Sequence, residues 1–338
     1  VKIRTTNGRP AVSESGLIRR IERASPTSRN HNSGLKLAIG DDAAIWKPRA
    51  GFETVLTTDW FLQGTHFLRE LHPPDSVGWK CLARAVSDVA AMGAEPRCFL
   101  LSLSLPENCT RKWLDDFLRG MKRAAEKLHC GLAGGDTTRR DQILINITVI
   151  GEVERGKAVM RSGAQSGDRI FVSGRLGEAE IGWKLTKSSK RLLNARNELF
   201  RKHLYPEPRI RLGLWLAKNK LVSAMMDISD GLSSDLSRLC RASEVGAVIN
   251  GKNIPIPSSK FLSKVSEMER FAAALHGGDD YELLFCVSKK HLRKIPSKFL
   301  GIALTEIGEI TNRPGVRLVD SAGNSVPLRD GGWDPFRN

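Results

Sequence analysis

Residues 74–93 read PDSVGWKCLARAVSDVAAMG, and residues 99–105 read FLLSLSL. In the first stretch Val77, Cys81, Ala85, Val86, Val89 and Met92 recur every three or four positions, the spacing of one apolar helix face. Pro74-Asp75 suits the start of that helix, because proline is tolerated in a first turn, and Gly93 suits its stop. The second stretch is an apolar run of strand length. Working outward, residues 113–128 repeat the helical spacing and 142–153 read as another strand. Upstream, 40–48 and 54–61 read as short strands separated by a Pro-Arg-Ala-Gly turn. The first half therefore alternates β and α elements.

Turn formers crowd the segment beginning Glu154-Arg-Gly-Lys and continuing through Arg161-Ser-Gly-Ala-Gln-Ser-Gly-Asp, which places a boundary near residue 155. The expected domains are 1–155 and 156–338. Beyond the boundary come a strand at 169–173, helical stretches through 217, a structured segment at 225–237 and a strand at 246–250. Further strands are expected near 283–287 and 316–319, making a second α+β unit. Basic residues are densest over 184–220, where leucines and tryptophans interleave at helical spacing, as on an amphipathic surface helix. No repeat of 20 to 50 residues is present, although Gly-Asp-Asp occurs once in each half, at 40–42 and 278–280.

The chain's 338 residues are 41% hydrophobic and 27% charged, enough for one large core or two medium ones. No apolar stretch approaches the roughly 18 residues of a membrane span, and the first fifteen residues lack the apolar core of a signal peptide. A cytoplasmic protein without a membrane partner is expected. Six cysteines (81, 98, 109, 130, 240 and 286) are scattered with no C-x-x-C pair, which disfavours zinc and disulfide frameworks. Fifty-three Lys plus Arg against 37 Asp plus Glu give a net charge of +16, suited to anionic ligands of several kinds. Neither an RRM-like aromatic signature nor a zinc-finger spacing accompanies that charge, so nucleic acid is not the expected partner.

Against this basic background the acids cluster beside Gly, Ser and Thr. The segments are Gly40-Asp41-Asp42, Thr57-Thr58-Asp59, Ser87-Asp88, Gly134-Gly135-Asp136-Thr137-Thr138 and Asp227-Ile228-Ser229-Asp230-Gly231. Any one of them alone is more simply a turn or an N-cap. Together they offer short carboxylates and hydroxyls from several element ends, as Mg²⁺ requires when it binds through a few carboxylates, waters and substrate phosphates. Neither G-x-x-x-x-G-K-[ST] nor G-x-G-x-x-G occurs, so a P-loop or Rossmann phosphate cradle is excluded.

The runs IGDDAAIW, TTDWFLQGTHF, GWKCLARAVSDVAAMGAEPRCFLLSLSLP, GLAGGDTTR, RSGAQSGD, DISDGLSSDL and GGDDYELLF, in this order, resemble bacterial thiamine-monophosphate kinases from about residue 16 to 333. The wider superfamily, with aminoimidazole ribonucleotide synthetase and selenophosphate synthetase, shares the acids. It does not share the combination of TTD-x6-H-F, SDVAAMGAEP and GGDDYEL. The resemblance implies a two-domain aminoimidazole ribonucleotide synthetase-like fold of α/β and α+β parts. In it the N-terminal, ATP- and metal-binding domain pairs across a homodimer. It implies Mg-ATP as donor, thiamine monophosphate as acceptor and thiamine diphosphate as product. By the same resemblance Asp42, Thr57, Thr58, Asp59, Asp88, Asp136, Asp227 and Asp230 would hold several magnesium ions, with Asp41 in reserve. Gly135, Asp136, Arg161 and Ser229 would contact ATP, and His66, Asp279 and Trp333 would contact thiamine monophosphate. Position 279 is Glu in many relatives, so the acceptor contact here is made by a shorter side chain.

The residue types admit ordinary readings too. His66 would otherwise be a core or surface histidine, Arg161 a turn-flanking charge and Trp333 a packing residue. A guanidinium nevertheless suits bidentate phosphate binding, and an indole suits the cationic ring of thiamine. The acceptor phosphate has a second pKa near 6, so no strong general base is needed. The obstacle is repulsion between two anions, roughly 4 kcal/mol for each unit pair about 4 Å apart at an effective dielectric of 20. Cations gathered by the aspartates would offset it, which predicts direct transfer without a phosphoenzyme. The alternatives are a superfamily enzyme that activates a carbonyl or selenium species, a nucleic-acid-binding protein, or a silent metal-stabilised scaffold.

Overall fold

The computed structural model describes residues 13–24, 34–189, 198–258, 262 and 265–337. Contacts separate two units, one drawn from Val1–Val86 and Pro96–Glu152, the other from Ser87–Glu95 and Val153–Asn338. The chain passes from one to the other within its second helix.

The first unit follows the order α1 (Glu14–Ala24), β1 (Leu35–Leu37), β2 (Ile45–Trp46), β3 (Phe52–Leu62), α2 (Pro74–Ala91), β4 (Glu95–Leu105), α3 (Lys112–Leu128), β5 (Gly131–Arg139) and β6 (Leu144–Glu154). Four of the strands form a sheet in the order β3-β6-β4-β5, with β4 and β5 parallel. Alternation decides its faces. In β6, Ile145, Ile147 and Val149 are buried, whereas Leu144, Asn146, Thr148 and Ile150 are half-buried. α3 buries Leu114, Phe117, Leu118, Met121, Ala124 and Leu128 along one stripe, as its sequence spacing predicts.

α2 and α3 cross where each has a glycine. A Cβ on Gly78 would lie 2.0 Å from the Phe117 carbonyl oxygen, and one on Gly120 only 1.8 Å from that of Asp75. Neither position can accept a side chain without moving a helix.

In the second unit come β7 (Arg169–Ser173), α4 (Glu178–Ser189), α5 (Glu198–Leu204), α6 (Ile210–Lys218), β8 (Ala224–Ile228), α7 (Leu232–Ala242) and β9 (Gly246–Asn250). These are followed by α8 (Glu267–His276), β10 (Glu282–Val287), β11 (Lys298–Phe299), β12 (Ile302–Thr311), β13 (Gly315–Val319) and β14 (Ser325–Pro327). The sheet order is β14-β13-β9-β12-β7-β10-β8, with β11 on β12. In it β9 and β13 run parallel, whereas β10 with β7 and β8, β12 with β7 and β9, and β13 with β14 run antiparallel. Each residue of β10 is buried, because helices cover both faces. Ile170, Val172, Met226, Ile228, Leu284 and Cys286 join Leu232, Leu236 and Leu239 of α7. Their alternate neighbours Phe171, Met225, Leu283 and Phe285 join Leu212 and Leu216 of α6. At the start of β10, fully buried Glu282 accepts hydrogen bonds from Arg209 Nε at 2.6 Å and Ser173 Oγ at 2.5 Å.

Several expectations need correction. The strand expected at 40–48 shrinks to β2, because Gly40 takes φ +130° and the Asp42 N–H turns back to Asp41 Oδ1 at 2.8 Å. The helical stretches expected through 217 include α4, α5 and α6, but the amphipathic surface face expected over 184–220 does not describe α6. Pro206 and Pro208 separate the last two, and α6 buries Leu212, Gly213, Leu216 and Ala217. Part of that stretch, 190–197, lies outside the described residues. The segment 225–237 is a strand followed by a helix. β5, α1 and β12 went unread. In β12 a register shift between Glu306 and Gly308 spoils the alternation that marks a strand. All six cysteines are buried and free, and among the described residues no helix is long and apolar enough to cross a membrane.

The close crossing of α2 and α3 makes a direct prediction. Gly120→Ala should lower unfolding stability by about 1–3 kcal/mol through overpacking, read as a lower urea midpoint. A nearby exposed change, Lys122→Ala, should shift it by less than about 0.5 kcal/mol.

Candidate functional site

The sequence-predicted residues fall into two sets, one in each unit. In the first unit Asp41, Asp42, Gly135 and Asp136 line one cavity of about 940 Å³, together with Ser102, Thr137 and Thr148. β5 delivers Gly135 and Asp136 opposite Leu101 and Ser102 of β4. The approach is close: a Cβ on Gly135 would sit 1.8 Å from the Leu101 carbonyl oxygen, and φ there is +156°. Glycine at this position therefore leaves the backbone bare at the cavity wall. Asp41, Asp42 and Asp136 are exposed, and the Oγ1 of Thr137 is buried without a hydrogen-bond partner.

β3 carries the Thr57-Thr58-Asp59 segment, and strand alternation sends its neighbours to opposite faces. Thr58 Oγ1 donates to Asn146 Oδ1 at 3.1 Å and lies 3.1 Å from Thr148 Oγ1, which borders the cavity. Asp59 instead meets Arg84 of α2 at 3.3 Å. His66 lies just past β3, with its ring 5.7 Å from that of Phe61. The Leu62 N–H donates to His66 Nδ1 at 3.0 Å, which leaves Nε2 as the protonated nitrogen of the neutral ring.

The second set is organised by the turn between β8 and α7. Asp227, the penultimate residue of β8, is buried and accepts a 2.6 Å hydrogen bond from Oγ of Ser87, the residue before Asp88. α2 reaches this point because Gly213 of α6 lets the helices touch, with a Cβ there only 2.1 Å from the Ala90 oxygen. Ser229 and Asp230 form the turn itself. The Ser229 oxygen accepts from Asp279 N–H at 2.9 Å, and the Asp230 oxygen accepts from Trp333 N–H at 2.9 Å. Trp333 remains 47% exposed, its indole free of the core.

Asp279 is tightly held. Its backbone lies in the left-handed region at φ +69°, an uncommon conformation for a residue with a Cβ. Tyr281 OH donates to its Oδ1 at 2.7 Å, and His203 Nδ1 stands 3.6 Å from its Oδ2. His203 in turn stacks on Trp183 at 5.5 Å. Arg161 is placed differently: it is exposed beside Met160, whose oxygen binds Met225 N–H at the opposite end of β8 from Asp227.

Several participants were not picked out as site residues in the sequence. Ser87 was visible only as Asp88's neighbour, and Arg84 only as one more charge. Asp235 and Arg238 belong to the run after Asp230, and nothing local distinguishes them from an ordinary helix-surface pair three residues apart. Asp235 is in fact fully buried, and burial with the nearby Asp230 charge pushes its carboxyl up to about 6.

The donors suit magnesium. They are hard oxygens from Asp, Thr and Ser, and an unpartnered buried hydroxyl stands beside Asp136. Among the described residues no three acids converge into a cage of their own.

This combination of two mixed units and acid-bearing turns defines an AIR synthase-type protein. The model of the AIR synthase related protein N-terminal domain matches residues 40–153, and that of its C-terminal domain matches 165–321. The thiamine-monophosphate kinase of Buchnera aphidicola subsp. Acyrthosiphon pisum is 39% identical over 289 residues, covering 84% of this chain and 87% of that one. The crystal structure of the enzyme from Stenotrophomonas maltophilia superposes with a TM-score of 0.80 at 35% identity, covering 94% of this chain and 98% of that one. AaThiL complexed with AMPPCP and TMP gives 0.75 at 33% identity and 99% coverage of both. The chain belongs to the thiamine-monophosphate kinase family.

A histidine near the turn supplies a pH test. His276 Nδ1 lies 2.9 Å from Ser233 Oγ, and burial lowers its pKa from 6.5, with Asp330 offsetting part of the shift. A base depressed in the folded state stabilises the fold fully above its unfolded value and loses that contribution as pH falls below about 6.5. Urea midpoints measured at pH 7.5 and 5.5 should therefore drop more for the wild type than for His276→Gln.

Proposed function

We propose that this chain transfers the γ-phosphoryl group of ATP directly to the phosphate of thiamine monophosphate, giving thiamine diphosphate and ADP. The carrying observation, beside family membership, is the turn 227–231. Its side chains include the proposed nucleotide and metal residues Asp227, Ser229 and Asp230, while its carbonyls anchor Asp279 and Trp333, the proposed acceptor residues. In this reading five residues tie the proposed contacts of both substrates to one segment.

In this reading Asp42, Thr57, Thr58, Asp59, Asp88, Asp136, Asp227 and Asp230 hold Mg²⁺, which when bound offsets phosphate charge. Gly135 presents bare backbone to the nucleotide, and Asp136, Ser229 and Arg161 bind it, the guanidinium pairing with phosphate oxygens. His66 offers Nε2–H to the acceptor. Trp333 stacks on the thiamine rings, and Asp279, immobilised by Tyr281, faces their positive charge. No residue has to remove a proton, because the attacking phosphate is already ionised at neutral pH. Residues 1–155 act as the ATP-binding, metal-binding and dimerisation domain, and 156–338 as the C-terminal domain.

Homodimerisation through the first unit is supported by the open side of its sheet. Edge strand β3 leaves Leu56 67% and Trp60 54% exposed, next to half-buried residues of β6. Such a surface is costly in water unless covered. A cytoplasmic location is consistent with six unpaired thiols.

The direct test is formation of thiamine diphosphate from thiamine monophosphate and Mg-ATP. Asp42→Asn and Asp88→Asn should fold normally and lose activity by orders of magnitude, since an amide keeps the shape but not the charge that binds Mg²⁺. Excess Mg²⁺ should restore part of the loss, and near-normal turnover at low Mg²⁺ would contradict the assignment.

Trp333→Ala should raise the KM for thiamine monophosphate several-fold to about thirtyfold, the equivalent of roughly 0.5–2 kcal/mol of lost cation–π contact. The KM for ATP should change much less, and Trp333→Phe should recover most of the affinity. A folded Ala variant with unchanged acceptor KM would remove Trp333 from the site.

A further inference from the structure

We infer that Asp235 is a positioning residue for nucleotide binding, the group that sets the shape of the 227–231 turn without itself touching metal or substrate. The inference rests on the reading that this turn serves Mg-ATP. Asp235 Oδ2 accepts hydrogen bonds from three successive backbone N–H groups, those of Ser229 at 3.1 Å, Asp230 at 3.0 Å and Gly231 at 3.1 Å. Convergent N–H groups of this kind form an anion-binding nest. Here the chain's own carboxylate fills it from the first turn of α7.

The other oxygen is also engaged. Arg238 Nη1 donates to Asp235 Oδ1 at 2.8 Å, and the same nitrogen pairs with Asp230 Oδ2. Asp235 therefore controls the turn twice: through its backbone, and through the arginine that aims the Asp230 carboxylate. With both oxygens used and the residue fully buried, it has nothing left to offer an ion. That separates it from Asp230, which keeps contact with solvent. Gly231, at φ +117°, gives the turn a conformation that other residues rarely adopt. The three N–H groups would otherwise point inward unpaired, so the turn depends on an acceptor at this spot.

The experiment uses the full-length protein with AMPPCP as a non-transferable nucleotide. Its Mg²⁺-dependent Kd is measured by calorimetry for wild type, Asp235→Ala, Asp235→Asn and Asp227→Asn, with melting temperatures recorded alongside. Asp235→Ala should weaken AMPPCP by about tenfold or more in protein that is still folded, since a charged acceptor of several hydrogen bonds is lost. Asp235→Asn keeps one acceptor oxygen for the N–H groups but loses the pairing with Arg238, so it should recover most of the affinity and remain about threefold weak. If the Ala variant does not fold, that threefold loss in the Asn variant carries the test. A lower melting temperature with unchanged Kd would make Asp235 merely structural and overturn the assignment. Tighter binding by Asp235→Ala, which would mean the vacated nest takes a phosphate, would overturn it too, as would Asn and Ala variants that are equally weak. Asp227→Asn distinguishes the two levels. If it leaves Mg²⁺-dependent binding intact, the nucleotide reading of the turn fails and this inference with it. If it abolishes binding while Asp235→Ala binds normally, only this inference fails.

Discussion

A carboxylate keeps its orientation only while a donor faces it, and the acid-bearing segments of each unit depend on that pairing. Three of the proposed metal-binding aspartates each have a separate donor. Asp59 has Arg84, Asp227 has the hydroxyl of Ser87, and Asp230 has Arg238. Each donor comes from a helix, so helix placement sets where each acid is offered. An aspartate held by a hydroxyl or an arginine is oriented before any ligand arrives, which reduces the reorganisation that binding has to drive.

In the second unit this order is inherited from the sheet. Helices on both faces make β8 and β10 wholly buried strands, and the strand ends emerge at one rim. Asp227 is the penultimate residue of one of these strands, while Asp279 and Tyr281 lie just before the other. The buried Glu282–Arg209 pair, with Ser173 on the same carboxylate, ties the start of β10 to the entry of α6. A buried charge pair is a poor source of net stability, yet breaking one is expensive, so it restricts which arrangements the rim can adopt. The C-terminal segment is fastened to the same rim. Gly331 and Gly332 donate to Ser233 and Ser234 at 3.3 and 3.0 Å, which brings Trp333 to the turn while leaving its ring accessible.

The first unit achieves its geometry by removing side chains. Gly78 and Gly120 bring α2 and α3 together, and Gly135 brings β5 against β4. The covered face of the sheet buries Ile145, Ile147 and Val149, while the other face keeps polar Thr58, Asn146 and Thr148 among half-exposed apolar residues. That mixture fits neither a core nor an ordinary surface, and it borders the cavity at Asp42 and Asp136.

Periodicity by itself determined α2 and α3, because their apolar residues recur every three or four positions, while β7 and β9 were legible as short apolar runs. The five acid-bearing segments were also legible in one dimension, since Asp beside Gly, Ser or Thr is a local feature of composition. What each acid touches was not. Asp41 and Asp136 are nearly a hundred residues apart and line one cavity only once the chain has folded. Ser87 reaches Asp227 because α6 has glycine where α2 approaches. Asp235 looks like a helix-surface acid in sequence, and only the fold shows that it is buried beneath the turn it holds. β12 escaped notice for a related reason: its bulge is tolerated because neighbouring strands β7 and β9 impose the pairing. Local spacing reports the forces along the chain, whereas burial and partner choice depend on contacts between segments far apart in it, and those exist only once the chain has folded.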